Sequence, residues 1–206
     1  MRNNPLKTLV LSALAATTFG ANAENTYDYF VGFDAGTHIG GKAKLMTSKF
    51  EDEGFYSGST DTDPSLIAGL SGGAIINDHH RVRISLAYDA LEIEGYDRAV
   101  DRTDLSANYD YMIPLANKLN WTVGAHMGYE FFVDKHDWDN AAGFTFGVQT
   151  GLDYRLTKHW SLGAEIAFTA HDYFKDGYMD SSGELWNSDF KIEDDVTFMA
   201  NVQYHF

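Results

Sequence analysis

Apolar residues recur at every second position along most of the chain from Tyr29 onward, with polar or small residues between them. The clearest stretch runs from Leu119 to Phe131, where Trp121, Val123 and Met127 are among the alternating apolar residues. In an extended chain a period of two places successive side chains on opposite faces, whereas a helix repeats about every 3.6 residues. The pattern therefore predicts β-strands with one apolar and one polar face.

Segments with this alternation follow one another to the end of the chain. They are residues 28–38, 65–76, 81–92, 103–113, 119–131, 144–155, 160–169 and 196–206. Each contains about ten residues or more, which is the length that a tilted strand needs to cross a bilayer. The sequence thus predicts eight strands that are long enough to span a membrane.

The connections between these strands alternate in length. Long segments occupy residues 39–64, 93–102, 132–142 and 172–193, and short turns occupy residues 77–80, 114–118 and 157–159. Outer-membrane barrels have an even number of strands, short turns on the periplasmic side and longer external loops. We therefore predict an all-β fold, an eight-stranded antiparallel up-and-down transmembrane β-barrel.

The choice between a soluble and a membrane barrel depends on which face is outside. An eight-stranded interior is only just filled by ordinary side chains, and several bulky residues per strand would overfill it. The polar face is rich in glycine, which suits the interior of a narrow, strongly curved barrel. These glycines are Gly32, Gly36, Gly69, Gly73, Gly124, Gly128, Gly147, Gly151 and Gly163. We therefore expect the apolar face to meet lipid.

Aromatic residues group near both ends of the predicted strands, as expected where a barrel crosses two membrane interfaces. Those near the short turns are Tyr27, Tyr29, Tyr109, Tyr111, Trp121, Tyr154, Trp160 and Tyr204. Those near the long connections are Tyr88, Tyr129, Phe131, Phe144, Phe168 and Tyr173.

The first residues have the features of a secretory signal peptide. Arg2 and Lys7 precede a short apolar stretch, and Ala21-Asn22-Ala23 is typical of a cleavage site. The apolar stretch is too short to cross a bilayer as a helix. We therefore predict a signal peptide at residues 1–23 and a barrel domain at residues 24–206.

Charge and cysteine content narrow the possible partners and the means of stabilisation. The formal net charge is −15, so nucleic acid is not an expected partner, because phosphate binding needs a basic surface. The chain contains no cysteine, so an exported form must be stabilised without disulfides.

Three segments resemble the small OmpA/OmpX-type outer-membrane barrels and the related opacity-like surface antigens. They are GFTFGVQTGLDYRL at residues 143–156, HWSLGAEI at residues 159–166 and the terminal VQYHF. The resemblance implies a location in the bacterial outer membrane. It also implies that Tyr204 and Phe206 form the signal by which the barrel-assembly machinery recognises the last strand.

Charged residues on the polar face are predicted to form a network in the barrel interior. They are Asp34, Arg83, Asp89, Asp110, Glu130, Asp153, Arg155 and Glu165. Such a network is either a hydrogen-bonded plug or a gate along a narrow ion path. We favour the plug, because eight strands leave little free bore, and we expect Arg83 and Arg155 to anchor it.

No catalytic residue, cofactor or metal site is predicted. His159 and Ser161 have a His-x-Ser spacing that resembles the lipid A deacylase pattern, but no suitably placed acid accompanies them. The histidines at positions 79, 80, 136 and 171 are interpreted as solvated turn or loop residues, and no spacing fits a zinc site.

The long connections carry much of the acidity, including Glu51, Asp52, Glu53, Asp61, Asp63, Asp134, Asp137, Asp139, Glu193, Asp194 and Asp195. They also carry Tyr56, Trp138, Tyr178 and Trp186, which are candidate anchors for binding.

The expected partners are outer-membrane lipid, lipopolysaccharide and host or environmental surfaces. The sequence favours a monomeric, non-enzymatic surface scaffold. The alternatives are a narrow porin-like channel for small solutes and, less favoured, a lipid-modifying enzyme.

Overall fold

All regular structure in the described residues is β-strand. The computed structural model describes residues 25–40, 42–49, 55–61, 65–92, 99–133, 141–172, 175–181, 184–192 and 194–206. The strands are β1 Tyr27–Gly40, β2 Lys42–Lys49, β3 Phe55–Asp61, β4 Leu66–Ile76, β5 His80–Glu92, β6 Ala99–Ala116, β7 Leu119–Val133, β8 Ala141–Arg155, β9 Trp160–Asp172, β10 Lys175–Ser181, β11 Glu184–Ile192 and β12 Asp195–His205. Within these ranges, no helix is long and apolar enough to cross a membrane.

Eight of the strands form a closed antiparallel barrel, which confirms the predicted fold. The strand order around the barrel is β1-β12-β9-β8-β7-β6-β5-β4. Strand β1 closes the barrel by pairing with β12 on one side, where Phe30 is opposite His205, and with β4 on the other. Each predicted segment coincides with a barrel strand, apart from Ser65 and Phe206 at two of the ends, and several strands extend beyond the predicted bounds. For example, β6 begins at Ala99 and β7 ends at Val133.

The barrel wall has the reverse of a soluble protein's distribution of side chains. Among the described residues, five apolar side chains are buried, against 22 polar or charged ones. The large apolar residues of the strands face outward, with exposed fractions of 53% for Phe33, 63% for Leu70 and 60% for Val148. This arrangement confirms the expected lipid-facing apolar surface.

Aromatic side chains lie on the outer surface near both ends of the strands. Each of the residues predicted near the short turns is exposed, and Trp160 and Phe206 pack edge-on against Tyr204 there. Near the other end, Tyr129 contacts Phe131 and Phe144, with ring centroids 4.9 Å apart in each pair. Tyr173 lies outside the described residues.

The turn between β4 and β5 is a tight hairpin connection. Asn77 and Asp78 have φ angles of 53° and 60°, and the His79 N–H donates to the Ile76 carbonyl at 3.2 Å. Two successive positive φ angles define a type I′ turn, which matches the twist of the strands and favours Asn and Asp. The Asn77 side chain also accepts a hydrogen bond from the Thr26 N–H at 3.1 Å, so this turn holds the chain just before β1.

A second sheet occupies much of the first and last long connections, which were predicted to be loops. Strands β10, β11, β2 and β3 form it in that order. The β1–β12 ladder pairs Thr37 with Phe198, and the β2–β11 ladder pairs Ala43 with Ile192 and Lys49 with Trp186. The register is the same in both ladders, apart from a shift between His38 and Gly40. The second sheet therefore continues the closing strand pair of the barrel.

Neighbouring strands approach closely at several inward-facing glycines. A Cβ atom at Gly73 would lie 2.0 Å from the Val82 carbonyl oxygen and 3.0 Å from the Arg83 Cα. At the adjacent Gly72, which is outward-facing, the nearest atom would be the Phe30 carbonyl oxygen at 3.6 Å. The curvature of this narrow barrel thus requires the absence of a side chain at Gly73 but not at Gly72.

This contrast gives a matched pair of substitutions. We expect Gly73→Ala to destabilise the barrel by about 1–3 kcal/mol, because the added methyl group must displace backbone. Gly72→Ala should be neutral or slightly stabilising, since it restricts the unfolded chain and meets only ordinary contacts. Urea midpoints of the refolded variants, read from the heat-shifted gel band, measure both effects. Equal midpoints for the two variants would show that the close approach does not constrain the fold.

Candidate functional site

The barrel interior is the main concentration of buried charge in the described residues. For orientation, the short-turn end is the end with the turns at 77–79, 117–118 and 157–159, and the long-connection end is the opposite one. Buried charged side chains form two groups along the barrel, separated by a cavity. The group nearer the long connections is called the outer cluster, and the other the inner cluster.

The outer cluster draws one side chain from each of six barrel strands. Its members are His38 of β1, Asp89 of β5, Arg102 of β6, Glu130 of β7, His171 of β9 and Asp195 of β12. All six are buried. Because they come from strands all around the wall, their contacts cross the lumen.

Arg102 is at the centre of the outer cluster. Its Nε and Nη2 atoms donate to the two carboxylate oxygens of Asp89 at 2.9 and 3.1 Å, a bidentate arrangement. Its Nη1 atom donates to Glu130 at 3.2 Å and lies 3.6 Å from Asp195. One guanidinium group thus faces three buried carboxylates. Arginine suits this position because its planar fork offers several donors in fixed directions.

Two histidines complete the outer cluster, and each lies between two carboxylates. The His38 ring nitrogens are 3.0 Å from Asp89 and 2.8 Å from Asp195, and the ring also contacts Arg102. The His171 ring nitrogens are 3.2 Å from Glu130 and 3.5 Å from Asp195. The interpretation of His171 as a solvated loop residue was therefore wrong, since β9 extends to Asp172 and carries this ring into the lumen.

The inner cluster is built on two arginines of β5. Arg81 donates to Asp110 at 2.8 Å and lies 3.7 Å from Asp153 and 3.5 Å from Glu165. Arg83 donates to both carboxylate oxygens of Glu165, at 3.0 and 3.1 Å. All five side chains are buried. The inner cluster therefore links β5, β6, β8 and β9 across the lumen.

A cavity of about 120 Å³ lies between the two clusters and is called the central cavity. The residues that line it include Arg83 and Glu165 of the inner cluster and Arg102, Glu130 and His171 of the outer cluster. A buried water needs roughly 10–15 Å³ of such space and several polar partners. The central cavity is therefore large enough for several water molecules and is walled by charges at both ends.

An apolar group and a second set of ion pairs close the short-turn end. Phe30, Ile75 and Met112 form a buried cluster on β1, β4 and β6. Beyond it, Arg155 pairs with Asp28, and both side chains are more than a quarter exposed. The Asp28 carboxylate also lies 3.0 Å from the His205 ring. Between the inner cluster and the short turns, the lumen is therefore filled by side chains.

The structure places seven of the eight predicted network residues inside the lumen. Asp89 and Glu130 belong to the outer cluster, and the inner cluster or its border with the central cavity contains Asp34, Arg83, Asp110, Asp153 and Glu165. Arg155 lies apart from both clusters, at the short-turn end. The two expected anchors, Arg83 and Arg155, thus do not share a cluster.

Sequence reasoning missed five charged or titratable members of the clusters: His38, Arg81, Arg102, His171 and Asp195. The alternation could have identified His38 and Arg81. Each lies an even number of positions from a predicted lumen residue of the same strand, Asp34 or Arg83, and therefore faces inward too. Arg102 and His171 fell beyond the predicted strand ends. Asp195 was interpreted as part of an acidic external connection, but it is buried in the lumen.

Ser161 is hydrogen-bonded to His205 and not to His159, the histidine of the His-x-Ser pair. Its hydroxyl lies 3.0 Å from His205 Nε2, while the His159 ring contacts the His205 carbonyl. With Asp28 beside His205, a serine, a histidine and an aspartate are adjacent. The Ser161 side chain is nevertheless completely buried, so its hydroxyl is not placed to attack a substrate.

The outer cluster predicts a large effect for one substitution. Arg102→Met should destabilise the barrel by about 3–5 kcal/mol, because it leaves buried carboxylates without their cation. Arg155→Gln is the matched control, since its ion pair is partly exposed and should contribute little. Urea titration of the refolded proteins measures both. If the Arg102 variant unfolded at the same midpoint as the control, the outer cluster would not be a stabilising element.

The sequence also matches a known family along most of its length. The family model described as "Outer membrane protein beta-barrel domain" matches residues 9–206. A comparison with curated protein sequences found no match.

Several solved structures share the fold at low sequence identity. OprG from Pseudomonas aeruginosa has a TM-score of 0.63 and 15% identity, over 91% of this chain and 98% of that one. Neisserial surface protein A has a TM-score of 0.54 and 18% identity, over 86% of this chain and 97% of that one. OprH from P. aeruginosa has a TM-score of 0.52 and 19% identity, over 87% of this chain and 99% of that one. With its closed eight-stranded barrel and its lipid-facing apolar wall, this chain belongs to the outer membrane β-barrel family and is located in the bacterial outer membrane.

Proposed function

We propose that this protein is a non-enzymatic surface protein in which a closed barrel carries the second sheet as a recognition surface outside the cell. In outer-membrane barrels the short turns face the periplasm and the long connections face outward. The sheet of β2, β3, β10 and β11 is built from the first and last long connections and therefore lies on the external side. The observation that carries the proposal is that the barrel ladder and the sheet ladder share one register, apart from the shift between His38 and Gly40.

The shared ladder makes the sheet an extension of the scaffold. Backbone pairing continues from β1 and β12 into β2 and β11, and β3 and β10 add one strand on each side. Binding residues are often found on segments that a rigid scaffold positions. A four-stranded platform fixed to the barrel by its two central strands meets that condition.

The second sheet carries three of the aromatic positions that the sequence singled out, and its register puts Tyr56 and Trp186 on one face and Tyr178 on the other. Tyr56 is opposite Thr47, Tyr178 is opposite Asn187, and Trp186 is between Met179 and Lys49 in the register. Aromatic residues are enriched among the residues that dominate binding energy. The partner class that we propose is a surface of the host or environment, with lipopolysaccharide as the neighbouring lipid. Trp138 lies outside the described residues.

The interior supports a scaffold more than an enzyme or an open pore. The outer cluster crosses the lumen on one side of the central cavity, and the inner cluster and the apolar group fill the other. The central cavity favours a second candidate, a narrow channel for small solutes, because it is polar and spacious enough for water. Conduction through it would require both clusters to open.

A planar-bilayer measurement separates these two functions. We expect the refolded protein to show no discrete conductance steps, because ion-paired side chains close the lumen on both sides of the central cavity. A heat-shifted gel band verifies folding, and a known porin verifies the bilayer. Reproducible single-channel steps from the folded protein would instead establish the channel.

Shortening the external sheet tests the recognition surface. We expect replacement of residues 42–61 and 175–192 by short glycine-serine turns to leave a folded, heat-resistant barrel, since none of the barrel ladders uses those residues. Attachment of bacteria that express this variant to immobilised matrix or cells should fall to the level of non-expressing bacteria.

Two further variants show whether the effect is specific to the sheet. Shortening residues 93–98, a connection outside the sheet, should leave attachment unchanged. Replacing Trp186 and Tyr56, whose positions share one face of the sheet, by alanine should weaken it, since hot-spot truncations commonly cost 2 kcal/mol or more (roughly 30-fold in affinity). If the variant without the sheet attached as well as the intact protein, the proposed recognition surface would be wrong.

A further inference from the structure

The lumen contains more negative than positive charge. Its inward-facing carboxylates are Asp34, Asp89, Asp104, Asp110, Glu130, Asp153, Glu165 and Asp195. Against these eight acids, the described lumen residues supply three guanidinium groups, from Arg81, Arg83 and Arg102. Protonation of all four inward-facing histidines, His38, His126, His171 and His205, would still leave one negative charge in excess. A closed lumen of low dielectric constant strongly disfavours such an imbalance.

One carboxylate at the central cavity has an oxygen without a partner. The Asp34 side chain is 91% buried and lines the cavity, and its Oδ2 atom has no hydrogen-bond partner among the described residues. Its other oxygen, Oδ1, is 3.9 Å from the nearest guanidinium nitrogen, on Arg83. Asp104 lines the same cavity, where its carboxylate is hydrogen-bonded to Ser106 and forms no ion pair with a described residue. One unpaired acceptor and a second carboxylate thus face a space that is large enough for a solute.

The rest of the cavity wall offers further oxygen ligands. Hydroxyl or amide oxygens come from Ser85, Ser106, Asn108, Thr145, Thr169 and Thr197. Oxygen atoms are the ligands that hard cations prefer. Within the described residues, no three His, Asp or Glu side chains converge as a group that could hold a metal ion, so a bare ion chelated by three such side chains is not supported. The wall fits a cation that keeps part of its water shell.

We propose that the central cavity is a binding site for a hydrated inorganic cation of the alkali or alkaline-earth class, held by Asp34 and Asp104. The cation offsets the excess negative charge of the lumen, and its water shell occupies the remaining volume of the cavity. Because buried ion pairs of the outer and inner clusters border the cavity on both sides, we expect the ion to be held between them when the barrel closes. The site therefore stabilises the folded barrel and exchanges slowly.

The test compares cations during refolding. The protein is refolded in detergent with sodium, calcium or bulky N-methyl-D-glucamine as the only added cation, at matched ionic strength. We expect sodium or calcium to raise the unfolding temperature by roughly 5 °C over the bulky cation, because a ligand that binds only the folded state stabilises it. Radioactive calcium or sodium retained by the folded barrel through gel filtration gives a second, direct measurement.

Variants of the cavity assign the effect to the site. Asp34→Asn should raise the cation concentration for half-maximal stabilisation by about tenfold or more, and it should abolish retention of the radioactive ion. Asp28→Asn, at the partly exposed short-turn end, is the matched control and should keep both signals. If Asp34→Asn does not fold, Asp104→Asn replaces it, with the same expected result.

Three outcomes would overturn the proposal. The first is equal stabilisation by the small and bulky cations, which would assign the effect to ionic strength at the acidic external surface. The second is full cation dependence in the Asp34 or Asp104 variant, which would place the ion elsewhere. The third is stability without any retained ion, in which case protonated carboxyl groups balance the lumen charge.

Discussion

The antiparallel pairing of β1 with β12 is the interaction on which the rest of the structure depends. Lipid supplies no hydrogen-bond partners, so a sheet can cross a membrane only if it has no free edge. This ladder joins the two ends of the barrel sheet, from Phe30 opposite His205 at one end to Thr37 opposite Phe198 near the other. With eight strands, closure fixes a lumen that side chains can fill.

Closure in turn determines what the lumen can contain. The outward positions must be apolar, and with a period of two the intervening positions all point inward. Polar groups placed there must satisfy one another, because an unpaired buried charge costs several kcal/mol. The outer cluster takes its six members from six strands, so its ion pairs form only when those strands stand in the correct register around a closed wall. We therefore infer that the outer cluster secures register as well as charge balance.

The sequence predicts this fold well because lipid requires apolar side chains on the outer face of the barrel, and the period of a strand places these at every second position. The alternation from Leu119 to Phe131 identifies both the strand and its lipid face. The pattern fails where the strands leave the lipid: β6 begins at Ala99, before the predicted start at 103, and so Arg102 was missed. The strands of the second sheet are short, and no lipid-facing alternation marks them.

Which inward charges contact one another is harder to predict than which charges face inward. The alternation of side chains along a strand is enough to identify Arg83, Asp89 and Glu165 as lumen residues. The position of each along the barrel axis also depends on strand register and on the tilt of the strands. The structure consequently separates Arg83 and Asp89 into different clusters, although both belong to β5. Arg155 occupies an inward-facing position of β8, but it is so close to a short turn that it contacts Asp28 and solvent.

The outer cluster also connects the interior to the external sheet. His38 lies two residues before the last residue of β1, and Asp195 is the first residue of β12, so both stand where the barrel ladder passes into the β2–β11 ladder. Their contact at 2.8 Å ties the two strands together across the lumen side of this junction. Arg102 links this pair of strands to β5 through Asp89 and to β7 through Glu130. The outer cluster thus ties the first and last strands of the barrel together at the point where they lead into the second sheet.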